Sequence, residues 1–358
     1  MADKNTTLRQ KNTSGVYDKL YTKTTATQSK LSATTAALFG NDITDSDAAL
    51  AELATSIKGL FGNVILVKDS HGSFIEGAVV QGLVGENVTN ANGIAYGVVS
   101  GSSVTVVPPY IDMKSKTVNV TSSDLKITEV VLDSYLENDI IRYTTSTSVK
   151  FSKYVKSVDV CCVAGGGAGG QGKYDNAVCG GGGGGGGIVN SLSKSVTPET
   201  VYNIVVGAGG VYKGSGTKAN DGGNTSFLGV SATGGKGATF KQYDGYNWKS
   251  YGGSAGVTGC GDGGGSSTAG TSNTTVSEFN DGVTFYSGGG GGGGTTTVMP
   301  GGAPNGATGG AVQNNGSKKI NAGVANVGGG GGGGGWSSAA TSNGSSGGHG
   351  LVSIRFHF

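Results

Sequence analysis

The sequence has few charged residues, few prolines and no long apolar run, and each shortage excludes a class of protein. Charged residues make up 13% of the chain and the formal net charge is +2, which argues against a nucleic-acid binder that neutralises phosphates. Five prolines in 358 residues exclude collagen, in which proline accompanies a strict glycine repeat. No stretch reaches about 18 apolar residues, so we expect no membrane span. The polar start predicts no secretory signal.

Glycine is what the chain has in excess, with 73 residues against about 7% in ordinary proteins. All but 11 follow residue 138, and they include uninterrupted runs at Gly180–Gly187, Gly288–Gly294 and Gly328–Gly335. Ordering a glycine costs about 0.5–1 kcal/mol more than ordering an alanine. The region is therefore either a disordered linker or a packed domain in which close backbone contacts offset this cost.

Apolar segments between the runs favour the packed alternative. Val158–Ala164, Val201–Val206 and Leu351–Phe356 are rich in β-branched residues and bounded by glycine, as strands are. A flexible linker has no use for such strands. We predict a β scaffold that carries the glycine segments as extended left-handed helices with three residues per turn. Their N–H and C=O groups need partners, which neighbouring glycine helices can supply.

Residues 1–62 are polar at first and then helical in pattern. Asp45 and Asp47 suit the start of a helix, and Gly62 suits the position just after its end. Four apolar residues recur at spacings of three, four and three, the pattern of one helix face: Leu50, Leu53, Ile57 and Leu60. Two alternatives stay open, because this face could pack on its own domain or form a short oligomerisation seam.

Residues 63–135 predict a small β-sandwich of about six short strands. Strand candidates alternate with turn signals, of which Asn92-Gly93 is the strongest. The segment from Ile65 to Ala78, followed by Asn90–Gly93, resembles the carboxypeptidase-regulatory-like, Ig-like modules. That resemblance implies a spacer or binding unit without catalysis.

Sequence motifs give little support for an enzyme. Gly167–Lys173 fits the pattern of a phosphate-binding loop, but Tyr174 stands where a Ser or Thr would bind Mg²⁺, and no helix pattern follows. No cysteine pair has metal-ligand spacing, and adjacent Cys161 and Cys162 are expected to face opposite sides of a strand. Paired carboxylates stay open as an alternative, with these candidates: Asp175, Asp221, Asp244, Asp262, Glu278 and Asp281. We expect no catalytic residues, metal or cofactor.

Aromatic residues are the most informative cluster. Phe240–Tyr251 holds five aromatics in twelve residues and is expected to be a loop between glycine segments. An aromatic ring can cover the apolar face of a sugar while polar neighbours bond its hydroxyls. The alternative is that these rings only cap the ends of glycine helices. The candidate receptor-binding residues are Tyr174, Tyr212, Tyr243, Tyr246, Trp248, Tyr251 and Trp336.

Residues 139–358 resemble the glycine-rich domain of bacteriophage tail fibres and distal tail-fibre adhesins. The resemblance is carried by Val158–Gly167, Cys179–Val189, Tyr202–Gly210 and Gly347–Phe356. Leu20–Gln28 also resembles segments near the start of phage tail and baseplate proteins. The family likeness implies sandwiches of polyglycine-II helices whose end loops determine host range. Unlike dedicated adhesins, this chain carries its own N-terminal helical and β modules.

The fold expected is mainly β, in three parts. These are an N-terminal attachment or helical oligomerisation segment (1–62), an Ig-like sandwich (63–135) and a glycine-rich receptor-binding domain (139–358). The family likeness implies a non-enzymatic protein of the virion, made in the host cytoplasm, that joins a tail or baseplate protein to a bacterial surface receptor. We expect a homotrimer, a carbohydrate receptor and no nucleic-acid partner. The alternative is a structural tail, baseplate or capsid decoration protein without receptor specificity.

Overall fold

The computed structural model describes residues 62–120, 127–172, 178–212, 218–242, 248–312, 319–320, 327–338 and 340–358. The first of two units comprises the described residues up to Pro109 together with Met113–Ser134, and the second comprises Tyr110–Asp112 and Tyr135–Phe358. The described residues are mainly β and contain no α-helix, only one short 3-10 turn at Glu278–Asn280. The helix predicted before Gly62 lies outside the described residues.

The described part of the first unit contains seven strands in two small sheets. The four-stranded sheet has the order β3-β4-β1-β7, and the three-stranded sheet has the order β2-β5-β6. β1 is central in its sheet, antiparallel to β4 and parallel to β7. The strands are β1 (Asn63–Asp69), β2 (Val79–Gln81), β3 (Leu83–Glu86), β4 (Ile94–Val99), β5 (Ser103–Val107), β6 (Lys116–Asn119) and β7 (Ile127–Leu132).

The predicted turn at Asn92-Gly93 leads directly into β4. The Asn90 side chain accepts hydrogen bonds from the backbone N–H groups of Asn92 and Ile94, at 2.9 and 3.1 Å. Gly93 has φ +69°, in the left-handed region that glycine tolerates best. The turn thus places Ile94 in register opposite Leu66 of β1.

The described part of the second unit contains twelve strands. Four form one antiparallel sheet in the order β11-β10-β19-β8, and the others form the two-stranded sheets β9-β12, β13-β14, β15-β16 and β17-β18. The strands are β8 (Ile140–Tyr143), β9 (Thr147–Val149), β10 (Ser157–Val163), β11 (Ile188–Ser195), β12 (Tyr202–Ile204), β13 (Thr225–Phe227), β14 (Val230–Ala232), β15 (Thr239–Gln242), β16 (Trp248–Tyr251), β17 (Ala311–Val312), β18 (Lys319–Ile320) and β19 (Leu351–His357).

β10 is buried on both faces, and its two adjacent cysteines face opposite sides, as predicted. Cys162 packs in one apolar cluster with Phe151, Phe227 and Phe356. Cys161 packs in another cluster on the opposite face, with Ile188 and Phe279. All four cysteines of the chain are buried free thiols. Burial raises the pKa of Cys162 to about 12 and that of Cys260 to about 11, so these thiols pack as small apolar side chains.

A charged network lines one face of β19 at its C-terminal end. The Arg355 guanidinium donates to Asp159 and lies 4.7 Å from the centre of the Phe279 ring. His357 places Nε2 3.0 Å from Asp159 and Nδ1 2.8 Å from Glu137. Because a ring nitrogen on each side faces a carboxylate, the doubly protonated imidazolium satisfies both.

The network should make the stability of the second unit depend on pH. Burial acts to lower the pKa of His357, but hydrogen bonds to Glu137 and Asp159 outweigh it and raise that pKa. The contribution of protonated His357 to the stability of the second unit is therefore complete below about pH 6.5. It is lost as pH rises through the raised pKa of His357. We expect His357→Gln to lower stability by about 1 kcal/mol at pH 5.5 and by clearly less at pH 8.5. Thermal unfolding of both proteins at the two pH values measures the difference, and an equal loss at both contradicts the assignment.

The two carboxylates of the same network, Asp159 and Glu137, make stability depend on pH in the opposite direction. Burial acts to raise the pKa of Asp159, but bonds from the Ser193 N–H, His357 and Arg355 outweigh it and lower that pKa. The N–H of Phe358 and the His357 ring lower the pKa of Glu137. Both carboxylates thus contribute above about pH 4 and lose their contribution as pH falls further.

Glycine segments fill much of the rest of the second unit and bond to one another through their backbones. We call these segments the glycine lattice, which comprises residues 164–172, 180–187, 207–210, 219–223, 233–238, 252–256, 261–271, 288–294, 301–310, 328–335 and 342–350. Most have no strand assignment, although their N–H groups are regularly paired. The three long glycine runs are buried throughout.

Hydrogen bonding in the lattice repeats every three residues. In segment 164–172, one set of N–H groups reaches the run Gly180–Gly187 in antiparallel pairs: Ala164 to Gly187, Gly167 to Gly184 and Gly170 to Gly181. The second set reaches residues 220–223 and the third reaches residues 342–348. Donor–acceptor distances are 2.8–3.0 Å in all but one of these pairs. Each segment thus bonds to three neighbours in turn.

Side chains would not fit between such segments. A Cβ built on Gly166, Gly169 or Gly183 would lie well under 3.0 Å from backbone atoms of a neighbouring segment. Glycine is required here because the segments approach closely, rather than because the backbone adopts a left-handed φ. Saturated hydrogen bonding and close contact offset the large entropy cost of ordering glycine.

Candidate binding site

The glycine lattice has two distinct ends. Segment 164–172 leaves the end of β10, and the run Gly180–Gly187 returns to the start of β11, with Ala164 bonded to Gly187. Gly172 and Gly180 therefore lie at the end away from the four-stranded sheet. We call the sheet end the base and the opposite end the tip.

The other lattice segments follow the same two-ended pattern. Gly328 bonds to Gly186 near the base and Gly334 bonds to Gly180 near the tip, so the chain reaches Trp336 at the tip. Gly256 bonds to Gly185 and Gly253 to Gly182, so Tyr251 also lies on the tip side. Because these segments pair with Gly180–Gly187, the chain turns that follow or precede them lie at the same end of the lattice, the tip.

Four of the predicted binding residues have described positions, and three of them lie on the tip side: Trp248, Tyr251 and Trp336. Tyr251 ends β16 and is 43% exposed, whereas Trp336 and Tyr212 are half-buried. Trp336 forms a backbone bridge to Thr341. Trp248 begins β16, opposite Gln242 of β15. The remaining three lie outside the described residues: Tyr174, Tyr243 and Tyr246.

The aromatic segment differs in form from the predicted loop. Residues 239–242 and 248–251 pair as the antiparallel strands β15 and β16, with Thr239 opposite Tyr251. This hairpin extends the lattice, because Ala238 just before it bonds to Ala168. Aromatic residues are enriched in strands, and this enrichment is the signal that could have indicated the two strands.

A comparison with known protein families finds a match that lies within the second unit. The family model for a glycine-rich domain matches residues 143–357, from the last residue of β8 to the last residue of β19. This chain belongs to the glycine-rich domain family. No curated protein matches the sequence.

Polar residues at the tip of the glycine-rich domain were not singled out by sequence. Gln171 donates to the Asn343 side chain at 3.0 Å, linking two turns. Thr295, Thr296 and Thr297 are exposed directly after a glycine run that ends at the tip. Their position immediately after a glycine run is the sequence feature that could have indicated them.

Two lysines and one aspartate form an ion-pair cluster on the flank of the glycine lattice. Lys218 and Lys236 share one carboxylate, lying 3.0 and 3.2 Å from Asp221. Burial acts to raise the pKa of Asp221, but the Gly237 N–H and the two lysines outweigh it and lower that pKa.

The segment that resembles a phosphate-binding loop has its donors already occupied. N–H groups of Gly167, Ala168, Gly169, Gly170 and Gly172 all donate to backbone carbonyls of neighbouring segments. A phosphate held by such a loop needs several of these N–H groups free. The segment is therefore part of the lattice.

The acidic candidates with described side chains also serve the fold. Asp262 accepts a bond from the Ala255 N–H at 2.6 Å, and Asp281 accepts bonds from Val283 and Thr284. Glu278 is bonded to Arg142 and Ser353. Asp175 and Asp244 lie outside the described residues. Within the described ranges, no group of three or more His, Cys, Asp or Glu side chains could hold a metal ion. No helix in that part of the chain is long and apolar enough to cross a bilayer.

Proposed function

We propose that this protein is a phage tail fibre or receptor-binding protein that attaches the virion to a bacterial surface. The N-terminal segment would join a tail or baseplate protein, the first unit would act as a spacer, and the tip would bind cell-wall carbohydrate. In this proposal the protein has no catalytic role, acts as part of the virion and is made in the host cytoplasm.

The proposal is carried by one observation, the common direction of the aromatic-bearing turns. Lattice hydrogen bonds near Tyr251 and Trp336 lie on the side opposite the four-stranded sheet. Tyr251 is 43% exposed, more than a ring that only covers the end of a glycine segment needs to be. Aromatic faces and neighbouring hydroxyls or amides suit sugar rings.

We infer further that the glycine segments are polyglycine-II helices packed side by side. The period of three in the hydrogen bonding supports this inference, because that helix has three residues per turn and no internal hydrogen bonds. Such packing supplies a stiff frame from bare backbone. Turns at its end can then vary in sequence without disturbing the frame.

Removing the tip aromatics should abolish most of the binding. We expect Tyr243/Tyr246/Trp248/Tyr251→Ala and Trp336→Ala each to weaken binding to susceptible cells or purified walls at least about tenfold, which corresponds to about 1.4 kcal/mol. The measurement is a titration of labelled full-length protein on cells and walls from a panel of bacteria. Thermal unfolding first establishes that each variant is folded.

The matched control is Phe74→Ala, which removes an aromatic side chain that is 52% exposed in the first unit. This control should leave binding unchanged. Undiminished binding by both folded tip variants would show that the site lies elsewhere. Absence of wild-type binding across the panel would instead favour a structural tail or decoration protein, and release of soluble sugar from walls would favour an enzyme.

A further inference from the structure

The chain on either side of Trp336 is joined by Ser342. Trp336 is the first side chain after the run Gly328–Gly335, and its backbone bridges to Thr341. The Ser342 N–H donates to the Gly335 carbonyl at 2.8 Å, and the Ser342 hydroxyl accepts from the Gly335 N–H at 2.6 Å. One serine therefore satisfies both backbone groups of the residue just before Trp336.

This pair of hydrogen bonds is closed off from solvent. Ser342 is 0% exposed, and Gly335 is buried. Gly335 is also enclosed by another segment, because a Cβ built on it would lie 2.5 Å from the backbone oxygen of Gly294. A buried N–H that loses its acceptor carries a desolvation penalty, so the serine hydroxyl fixes the position from which the Trp336 side chain leaves the lattice.

The same arrangement occurs three residues nearer the base, about 9 Å along an extended glycine segment. The Ser345 N–H donates to the Gly332 carbonyl at 2.9 Å, and the Ser345 hydroxyl accepts from the Gly332 N–H at 2.8 Å. One repeat further, Gly348 makes the same backbone bond to Gly329 at 2.8 Å without a side chain. The two serines make the same local bonds, but only Ser342 adjoins the aromatic turn.

Two more contacts hold this turn against neighbouring segments. Burial raises the pKa of the Cys179 thiol, although a hydrogen bond from the Trp336 backbone acts to lower it, and this bond places the thiol beside Trp336. Gln171 donates to the side chain of Asn343 at 3.0 Å, directly after Ser342. The backbone that presents the indole ring is thus bonded on both of its arms.

We propose that Ser342 is a positioning residue, which orders the Trp336 ring for binding at the tip. The proposal rests on the proposed function, and it names a residue that sets the affinity of that site without touching the ligand. Immobilising a side chain costs binding energy, so a ring that is already ordered is bound more tightly. The ordered ring presents a fixed face to a sugar.

The first part of the test needs no ligand. Ser342→Ala and Ser345→Ala are made in full-length protein that carries Trp248→Phe, which leaves Trp336 as the only tryptophan. Each substitution leaves one buried N–H without its acceptor, so both should lower the unfolding midpoint of the second unit by about 3–6 °C. Only Ser342→Ala should increase the nanosecond motion of the Trp336 ring, by at least about twofold in the amplitude of its fluorescence anisotropy decay.

The second part measures binding to cells and walls with both tryptophans present. Ser342→Ala should bind about three- to tenfold more weakly than the wild type, the cost of ordering one side chain. Ser345→Ala, the matched control, should stay within about twofold of the wild type.

The two parts separate failure of this proposal from failure of the proposed function. Equal ring motion in the two serine variants, or unchanged binding by Ser342→Ala when its ring motion has increased, would overturn the positioning role. A wild type that binds none of the cells would overturn the receptor function, whereas increased ring motion in Ser342→Ala would still support the ordering of Trp336 by Ser342.

Discussion

Replacing Gly183 by alanine should lower the unfolding midpoint of the second unit by about 10 °C. A Cβ at this position would lie well under 3.0 Å from the backbone oxygen and carbon of Gly167. Gly183 also donates to Gly331 at 2.7 Å and accepts from Gly290 at 2.8 Å. Three segments surround it, so none can move aside without losing its own bonds. Overpacking costs about 1–3 kcal/mol or more, and about 3 kcal/mol corresponds to about 6–12 °C for a unit of this size.

Gly265→Ala is the matched control in the same unit. The nearest atom to a Cβ there is the backbone oxygen of Ser250, at 3.3 Å, and the next is 3.7 Å away. We expect its midpoint to change by less than about 3 °C, because alanine also reduces the entropy of the unfolded chain. Calorimetry of both variants decides the matter, and similar midpoints would show that close packing is not what requires glycine at 183.

Some strands of the second unit could be predicted because their apolar residues specify them. Val158–Ala164 corresponds to β10, and Leu351–Phe356 lies within β19. The segment predicted at Val201–Val206 contains the shorter strand β12 (Tyr202–Ile204), because Val205 bonds to Ser226 instead of continuing the pairing with β9. β11 was not predicted as a whole, because its second half is polar and borders solvent.

Pairing within the lattice could not be predicted from sequence. Glycine residues carry no side chain that distinguishes one neighbour from another. The sequence therefore gives no basis for assigning different hydrogen-bond partners to Gly183 and Gly184. Apolar residues at the ends of the runs can fix the register: Ile188, after one run, belongs to the cluster around Cys161, and Val327, before another, packs against that cluster. The aromatic tip could be proposed from composition, but its common direction depends on this register.

Glu278 is a buried carboxylate outside the lattice whose loss should strongly destabilise the second unit. Glu278 is 1% exposed. It accepts bonds from the Arg142 guanidinium at 2.9 and 2.6 Å and from the Ser353 hydroxyl, and its bonds raise the pKa of Arg142. These contacts tie the turn at Glu278–Asn280 to strands β8 and β19.

We expect Glu278→Ala to lower the free energy of unfolding of the second unit by about 3 kcal/mol, within the range for breaking a buried pair. The loss leaves a buried hydroxyl and part of a guanidinium without an acceptor, although water reaches the exposed side of Arg142. Asp221→Ala is the control, since its partners Lys218 and Lys236 are more than half exposed.

Denaturant titration of the single variants and of Arg142→Leu/Glu278→Leu separates the causes. Glu278→Leu alone leaves the Arg142 charge without its partner, whereas the double variant removes both charges. The double variant should therefore be more stable than Glu278→Leu. If Glu278→Ala costs no more than Asp221→Ala, the turn is held by the apolar contacts of Phe279, and the ion pair contributes little to the fold.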